Sequence, residues 1–275
     1  MEKINTIVLS GGGVKSASYI GALNSLFSHI PKEQITHYVG TSSGGIFSVL
    51  LAIGYSCNEL QKILMKYDFK QLLNDMNYDD VICNYGISEG EYIAKFYTEL
   101  LEIKNCNITF AELYNKIKIK ITITITNFTA QHVEYWNHET TPNNTLLAAM
   151  LATSRVPIFF TPYQYNNNLY LDGGVINNYP INYVENELDN AIGFCLMEKR
   201  NPDNIKNLVN YMMYVFALTC NSNIILLNQN YIKKTIFIHI DDVDFMDFDI
   251  NDDQKISMVA TGAELTEKYI KDTYQ

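Results

Sequence analysis

Apolar residues along this chain switch repeatedly between a period of two and the helical period of 3.6, and the switches fall at glycine-rich turns. The β-branched run INTIVLS (Ile4 to Ser10) ends in Gly11, Gly12 and Gly13, and the stretch VKSASYIGALNSLF that follows spaces its apolar residues as a helix does. The order recurs in ITHYVGTSSGGIFSVLLAIGY, where a short strand ends near Val39, a turn of small residues follows, and an apolar helix runs through Ile53. Two strand-turn-helix units in succession predict parallel strands in an α/β fold. Both glycine-rich turns then belong at the carboxyl edge of the sheet, where such folds place their sites.

Residues 57 to about 105, rich in Tyr, Asn and Asp, read as helices and loops that cap one side of the sheet. Thr109 and Glu112 have capping-box spacing and predict a short helix at TFAEL. From Lys116 to Thr126, Ile alternates with Lys or Thr, which predicts an edge or half-exposed strand whose three lysines discourage further pairing. A helix is expected from about Asn144 to Ser154, ended by Pro157, and then a hairpin of YQY and LYLDGG around Asn166 to Asn168. AIGFCLM and TIFIHI read as strands, separated by a helical stretch from about Asp203 to Tyr231, and a helix from Asp253 to Tyr269 closes the chain. Its length of 275 residues suffices for a substantial core, and without an internal repeat or linker a single domain over 1–275 is expected.

Composition narrows the function classes. A formal net charge of −10 opposes nucleic-acid binding, which needs clustered Lys and Arg, and gives no help in approaching an anionic membrane. The longest apolar run, Leu208 to Leu218, contains Asn210 and is shorter than the roughly 20 residues that span a bilayer, so it reads as a buried helix. No signal peptide is predicted, and a cytoplasmic protein, peripheral at membranes, is expected. Cys57, Cys83, Cys106, Cys195 and Cys220 are odd in number and lack any CxxC pair, which predicts reduced core thiols rather than disulfides or a zinc site. Seven aspartates between Asp241 and Asp253 resemble a calcium loop only in composition. Read as an EF-hand from Asp247, the loop has Asp252 where glycine belongs and Met258 where glutamate belongs, so a solvated loop and no metal are expected.

Chemistry centres on VGTSSGGIFSVL. A nucleophile elbow, Gly-x-Ser-x-Gly, needs glycines two residues either side of the nucleophile so that the strained turn forms without Cβ clashes. Ser42 has Gly40 and Gly44 there, whereas Ser43 has Thr41 on one side. A capping serine in a tight turn is the plain alternative. A serine nucleophile requires a base and oxyanion donors. Gly11, Gly12 and Gly13, at a strand-to-helix turn, can aim backbone N–H groups into one concavity. A dinucleotide loop starting at Gly11 would need glycine where the chain has Ser16. For the base, Asp172 ends a short strand with Gly173 and Gly174 behind it, while His29, His37, His132, His138 and His239 each read as structural or surface residues.

The glycine triplet, the Gly-Thr-Ser-Ser-Gly-Gly elbow and the later Asp-Gly-Gly together resemble the patatin-like phospholipase family, nearly end to end. ATSRVPIFFTP is similar to that family's Ala-Ser-x-x-x-Pro-x-x-Phe-x-Pro segment, and GGVINNYP to its Gly-Gly-x-x-x-Asn-x-Pro. The resemblance implies a three-layer α/β/α sandwich with a mostly parallel central sheet. It also implies a serine hydrolase with a Ser-Asp dyad: Ser42 as nucleophile, Asp172 as base, and Gly11 to Gly13 as oxyanion hole. Its substrates would be phospholipid or lysophospholipid esters, met in transient contact with a membrane surface, and no cofactor is implied. Lys15 matches the family's basic position after the glycine loop. Ser16 replaces a glycine, and Arg155 stands where a small residue is common, positioned for a phosphate contact or for solvent. Two other readings stand beside this one. An α/β-hydrolase triad of Ser42, Asp172 and His239 has the right chain order, and a non-catalytic lipid-binding or interaction module would keep the fold.

Overall fold

The computed structural model describes residues 1, 3–77, 83–197, 205, 207–225 and 229–274. Ten strands are described: β1 (Thr6–Leu9), β2 (His37–Thr41), β3 (Gly86–Ser88), β4 (Lys120–Asn127), β5 (His132–Trp136), β6 (Ile158–Phe160), β7 (Tyr163–Tyr165), β8 (Asn168–Asp172), β9 (Ala191–Met197) and β10 (Thr235–His239). The described α-helices are α1 (Ser18–His29), α2 (Ser43–Ala52), α3 (Cys57–Lys66), α4 (Glu91–Ile103), α5 (Phe110–Ile117), α6 (Leu146–Thr153), α7 (Gly174–Asn177), α8 (Leu208–Ile225), α9 (Gln229–Lys233) and α10 (Asp252–Tyr274).

The central sheet runs β10-β9-β1-β2-β4-β8-β7, with β5 also paired to β4. Strands β10, β9, β1, β2 and β4 are mutually parallel, and β5, β7 and β8 add antiparallel pairs. The predicted glycine turns both leave the carboxyl edge, because Leu9 of β1 stands opposite Gly40 of β2. Alternation along β1 divides the interior into two faces. Ile7 and Leu9 pack with Leu23, Leu26 and Leu51, whereas Val8 packs with Tyr179, Ile181 and Val184 on the other side. The result is the three-layer α/β/α sandwich with a mostly parallel sheet.

Several elements differ from the sequence reading. The Ile/Thr alternation is not an edge strand: β4 is nearly all buried and paired on both sides. Its polar face is threonine, whose hydroxyls can be satisfied inside, as in Thr126 Oγ1 donating to Asp172 O at 2.9 Å. Lys116 falls on α5, and Lys118 adopts a left-handed conformation (φ 59°) as the cap that ends it. Leu208–Ile225 is a helix as expected but not a buried one, for Leu208, Tyr211, Val215 and Leu218 are exposed. Residues 203–204, 206 and 226–228 of the predicted helical stretch lie outside the described residues. No disulfide joins any of the five cysteines; four are buried and Cys83 is exposed. Among the described residues, no helix is long and apolar enough to cross a membrane.

Candidate active site

The strand register explains why two residues 130 positions apart in sequence meet. β4 pairs with β2 through Thr41↔Thr124 and with β8 through Ile125↔Asp172. Its other side is occupied by β5 from Ile123 to Asn127. β2 and β8 therefore lie along the same side of β4 and meet end to end, which sets Asp172 beside the turn that follows Thr41. Gly173 fits this junction because a Cβ there would collide with Thr124 O.

Ser42 occupies the turn itself, at φ 53° and ψ −128°, immediately before α2. This strained geometry is what an elbow requires. Gly40 and Gly44 permit it: a Cβ on Gly40 would collide with Gly44 O, and one on Gly44 with Ser10 O and Leu9 O. The Ser42 N–H donates to Thr153 Oγ1 at 2.8 Å, and that hydroxyl donates onward to Thr124 O at 2.8 Å. Ser43, by contrast, starts α2, and its Oγ is buried with no hydrogen-bond partner among the described residues.

Asp172 is almost wholly buried. Its Oδ1 accepts the Gly174 N–H at 2.7 Å, and Oδ2 has no hydrogen-bond partner among the described residues. Burial pushes the Asp172 carboxyl up to about 7, and the approaching Ser42 hydroxyl and the Gly174 N–H only partly oppose that rise. The backbone N–H of Asp172 donates to Arg155 O at 2.8 Å.

The glycine loop lies on the other side of Ser42. Gly11 N–H donates to Asn178 O at 3.0 Å, so its amide is engaged. Gly12 and Gly13 carry amides with no acceptor among the described residues. Gly13 sits at φ +56° and packs so closely under Phe245 that a Cβ would collide with Phe245 O, which accepts the Val14 N–H at 2.9 Å. Lys15 is buried and donates to Ile240 O at 2.8 Å. Ser16 draws the turn together by donating to Gly13 O at 2.7 Å.

Arg155 does not face solvent, and its Nε is buried with no hydrogen-bond partner among the described residues. It is buried, donates to Glu89 O at 2.6 Å, and lies over the rings of Phe160 and Tyr163 at 5.7 and 5.5 Å. His239 is exposed on edge strand β10, three strands from β2, or about 14 Å at normal strand spacing. No histidine lines either cavity at Ser42. Among the described residues, no cluster of His, Cys, Asp or Glu could hold a metal ion.

Ser42 opens onto two cavities of different character. The smaller, about 50 Å³, holds Asp172, Lys15, Asn178 and the three glycines, with Phe216, Cys220 and Phe245 at its wall. The larger, about 160 Å³, is almost wholly apolar and runs between α2, α3 and α4, lined by Ile46, Leu50, Leu64, Ile93 and Leu100 among others. Thr153, Asn178, Phe216 and Phe245 are site residues that sequence reasoning did not single out. Thr153 and Asn178 lie in the two segments quoted for their resemblance to a family pattern, whereas Phe216 and Phe245 carry no local signal.

A serine on a strained strand-to-helix turn, beside a buried carboxylate and a loop of open amides, places the molecule among α/β proteins with a nucleophile-elbow site. Residues 7–184 match the model of the patatin-like phospholipase family, and the chain belongs to that family. It is similar to a protein of Invertebrate iridescent virus 6 named "Probable lipid hydrolase", with 38% identity over 64% of this chain and 61% of the relative. The match thus spans under two thirds of that relative's length. An uncharacterized protein of Acanthamoeba polyphaga mimivirus is 27% identical over 98% of this chain and 94% of its own. Among solved structures, VipD from Legionella pneumophila superposes with a TM-score of 0.65 at 16% identity, covering 98% of this chain and 67% of that one. ExoU from Pseudomonas aeruginosa gives a TM-score of 0.56 at 16% identity, over 99% and 53% of the two chains. Both share the fold.

Proposed function

We propose that this protein is a lipid acyl hydrolase that releases ester-linked fatty acids from phospholipids or lysophospholipids, with Ser42 as nucleophile and Asp172 as base. The observation that carries the reading is the position of Ser42 where the small cavity that holds Asp172 and the glycine loop meets a larger, almost wholly apolar one. An acyl chain fits the apolar side, and the ester carbonyl then lies at Ser42 with the remaining polar part of the lipid toward Asp172 and the glycine loop. A base that titrates near 7 is matched to proton transfer at neutral pH far better than an ordinary carboxylate.

In the proposed cycle, Asp172 takes the Ser42 proton as Ser42 Oγ bonds to the carbonyl carbon. The amides of Gly12 and Gly13, with the Ser43 N–H, hold the oxyanion. Collapse expels the alcohol, which leaves with the proton from Asp172, and the acyl group stays on Ser42. Water then attacks the acyl-enzyme, gives a proton to Asp172, and the fatty acid departs as Ser42 regains its proton. No redox or metal chemistry enters this sequence.

Hydrolysis of phosphatidylcholine and lysophosphatidylcholine by the purified chain tests the proposal. Ser42→Ala and Asp172→Asn are each expected to lose activity by a factor on the order of 10⁴ while keeping the fold, and a fluorophosphonate should label the wild type but not Ser42→Ala. An active His239→Ala variant is expected, since that side chain is remote and exposed. A folded protein that neither reacts with the probe nor cleaves any ester would instead be the non-catalytic module.

A further inference from the structure

Arg155 joins the segment that holds Ser42 and Asp172 to the wall of the apolar cavity. Its carbonyl accepts the Asp172 N–H at 2.8 Å, and Thr153, two positions earlier, accepts the Ser42 N–H at 2.8 Å. Val156, the next residue, lines both cavities at Ser42. The Arg155 side chain reaches the cap instead, where Nη1 donates to Glu89 O at 2.6 Å, one residue before Gly90, the N-cap of α4.

The turn at Gly90 is shaped around that guanidinium. Gly90 adopts φ +76°, and a Cβ there would stand 2.6 Å from Nη1. Asp75 grips the same turn from within the cap, accepting the Ser88 hydroxyl at 2.8 Å and the Gly90 and Glu91 N–H groups at 2.9 Å each. From this turn α4 runs on to give Ile93, Phe96, Tyr97 and Leu100 to the apolar cavity. Arg155 itself lines neither cavity. Stability alone does not account for it: a buried guanidinium is costly, its Nε has no partner among the described residues, and an apolar side chain would pack as well against Phe160 and Tyr163. What an apolar residue lacks is the directed bond to Glu89 O.

We infer that Arg155 is a positioning residue, which sets the start of α4 against the segment that anchors Ser42 and Asp172 and so fixes the acyl-chain wall relative to the reacting groups. This inference rests on the lipid acyl hydrolase reading, which puts the acyl chain in that cavity. A long chain then feels the placement of α4, whereas a butyryl group is held close to Ser42.

Dodecanoyl and butyryl p-nitrophenyl esters, with the fluorescent fatty acid cis-parinaric acid as a binding probe, test this in the full chain. Arg155→Met, which removes the donors, is expected to raise KM for the dodecanoyl ester about tenfold and to weaken parinaric acid binding similarly, with kcat for the butyryl ester within about twofold of the parent. Arg155→Lys, a shorter donor, is expected to show the same pattern at about threefold. An equal loss on both esters, or an unchanged dodecanoyl KM and parinaric acid affinity in folded Arg155→Met, would overturn the inference. Should Arg155→Met not fold, Arg155→Lys decides alone: a loss confined to the dodecanoyl ester and parinaric acid upholds the inference, and an equal effect on both esters, or none, overturns it. Parinaric acid reads the cavity without the reaction. No ester hydrolysis by the parent, together with Arg155-dependent fatty-acid binding, defeats the proposed reaction and leaves the positioning role standing; hydrolysis and binding that are both indifferent to Arg155 do the reverse.

Discussion

Thr41 and Asp172 stand opposite Thr124 and Ile125, two consecutive residues of one strand. That adjacency brings the carboxylate to the serine that follows Thr41, and it does so with backbone hydrogen bonds rather than with flexible side chains. A site built on strand ends keeps its geometry without substrate.

The protonation of Asp172 couples this site to stability. Its folded value near 7 lies above the roughly 3.9 of an unfolded aspartate, so between these values the folded chain holds a proton that the unfolded chain has released. The stabilisation is full below about pH 4 and is lost as pH rises through 7. Asp172→Asn removes this loss and is expected to be more stable than the parent above pH 7, by on the order of a few kcal/mol. Activity runs the other way, and kcat/KM should rise with pH around a midpoint near 7. Urea unfolding of both proteins across pH 5 to 9, beside a pH–rate profile, checks both; a stability difference that does not change with pH would contradict the assignment.

Thr153 holds the elbow from below by accepting the Ser42 N–H and donating to Thr124 O. Thr153→Val leaves both groups buried and unpaired, at a cost of about 1–3 kcal/mol, and lets the serine move relative to the amide donors. Lower stability together with a reduced kcat is expected, with Thr153→Ser restoring both. Denaturant unfolding and ester hydrolysis measured on the same samples give the comparison.

Ser43 separates the two adjacent serines experimentally. Its hydroxyl is buried at the wall of the apolar cavity, with no hydrogen-bond partner among the described residues. Ser43→Ala removes an unsatisfied polar group, so stability should hold or rise by about 1 kcal/mol, and hydrolysis should persist because the backbone N–H is kept. Loss of activity in this variant, with Ser42→Ala active, would reverse the assignment of the nucleophile.

In the proposed reaction the apolar cavity takes the acyl chain, so its size is expected to set which chains fit. Leu64 lies on its α3 wall, and Leu64→Trp narrows it. Long-chain esters should lose kcat/KM relative to butyryl esters by roughly tenfold. An unchanged ratio would mean that the chain lies elsewhere.

Much of the fold was readable because its signals are local. The strand-turn-helix units, the capping box at Thr109 and the hairpin before Asp172 each depend on residues within a few positions of one another. The misreadings share a cause. Period two in β4 showed that its faces differ, but whether the threonine face meets water or protein depends on which strands flank it. The apolar composition of α8 suggested burial, although only one of its faces found a partner. Arg155 could not be placed from sequence because its guanidinium ends at a backbone carbonyl of residue 89, which no motif predicts.

The candidate site divides along the same line. Glycine spacing alone selects Ser42 over Ser43; the clash that excludes a Cβ at residue 40 is local, with Gly44 O, whereas the one at residue 44 is with Leu9 O and Ser10 O of the neighbouring turn. The sequence likewise determined the glycine triplet and the Asp-Gly-Gly as sharp turns after strands. Tertiary structure decided that the Gly11 amide is spent on Asn178 while those of Gly12 and Gly13 meet no acceptor among the described residues. It also decided that Asp172 loses its water and titrates near 7, and that Ser42 opens onto an apolar cavity. Desolvation and enclosure arise from groups distant along the chain, and only packing brings those groups together.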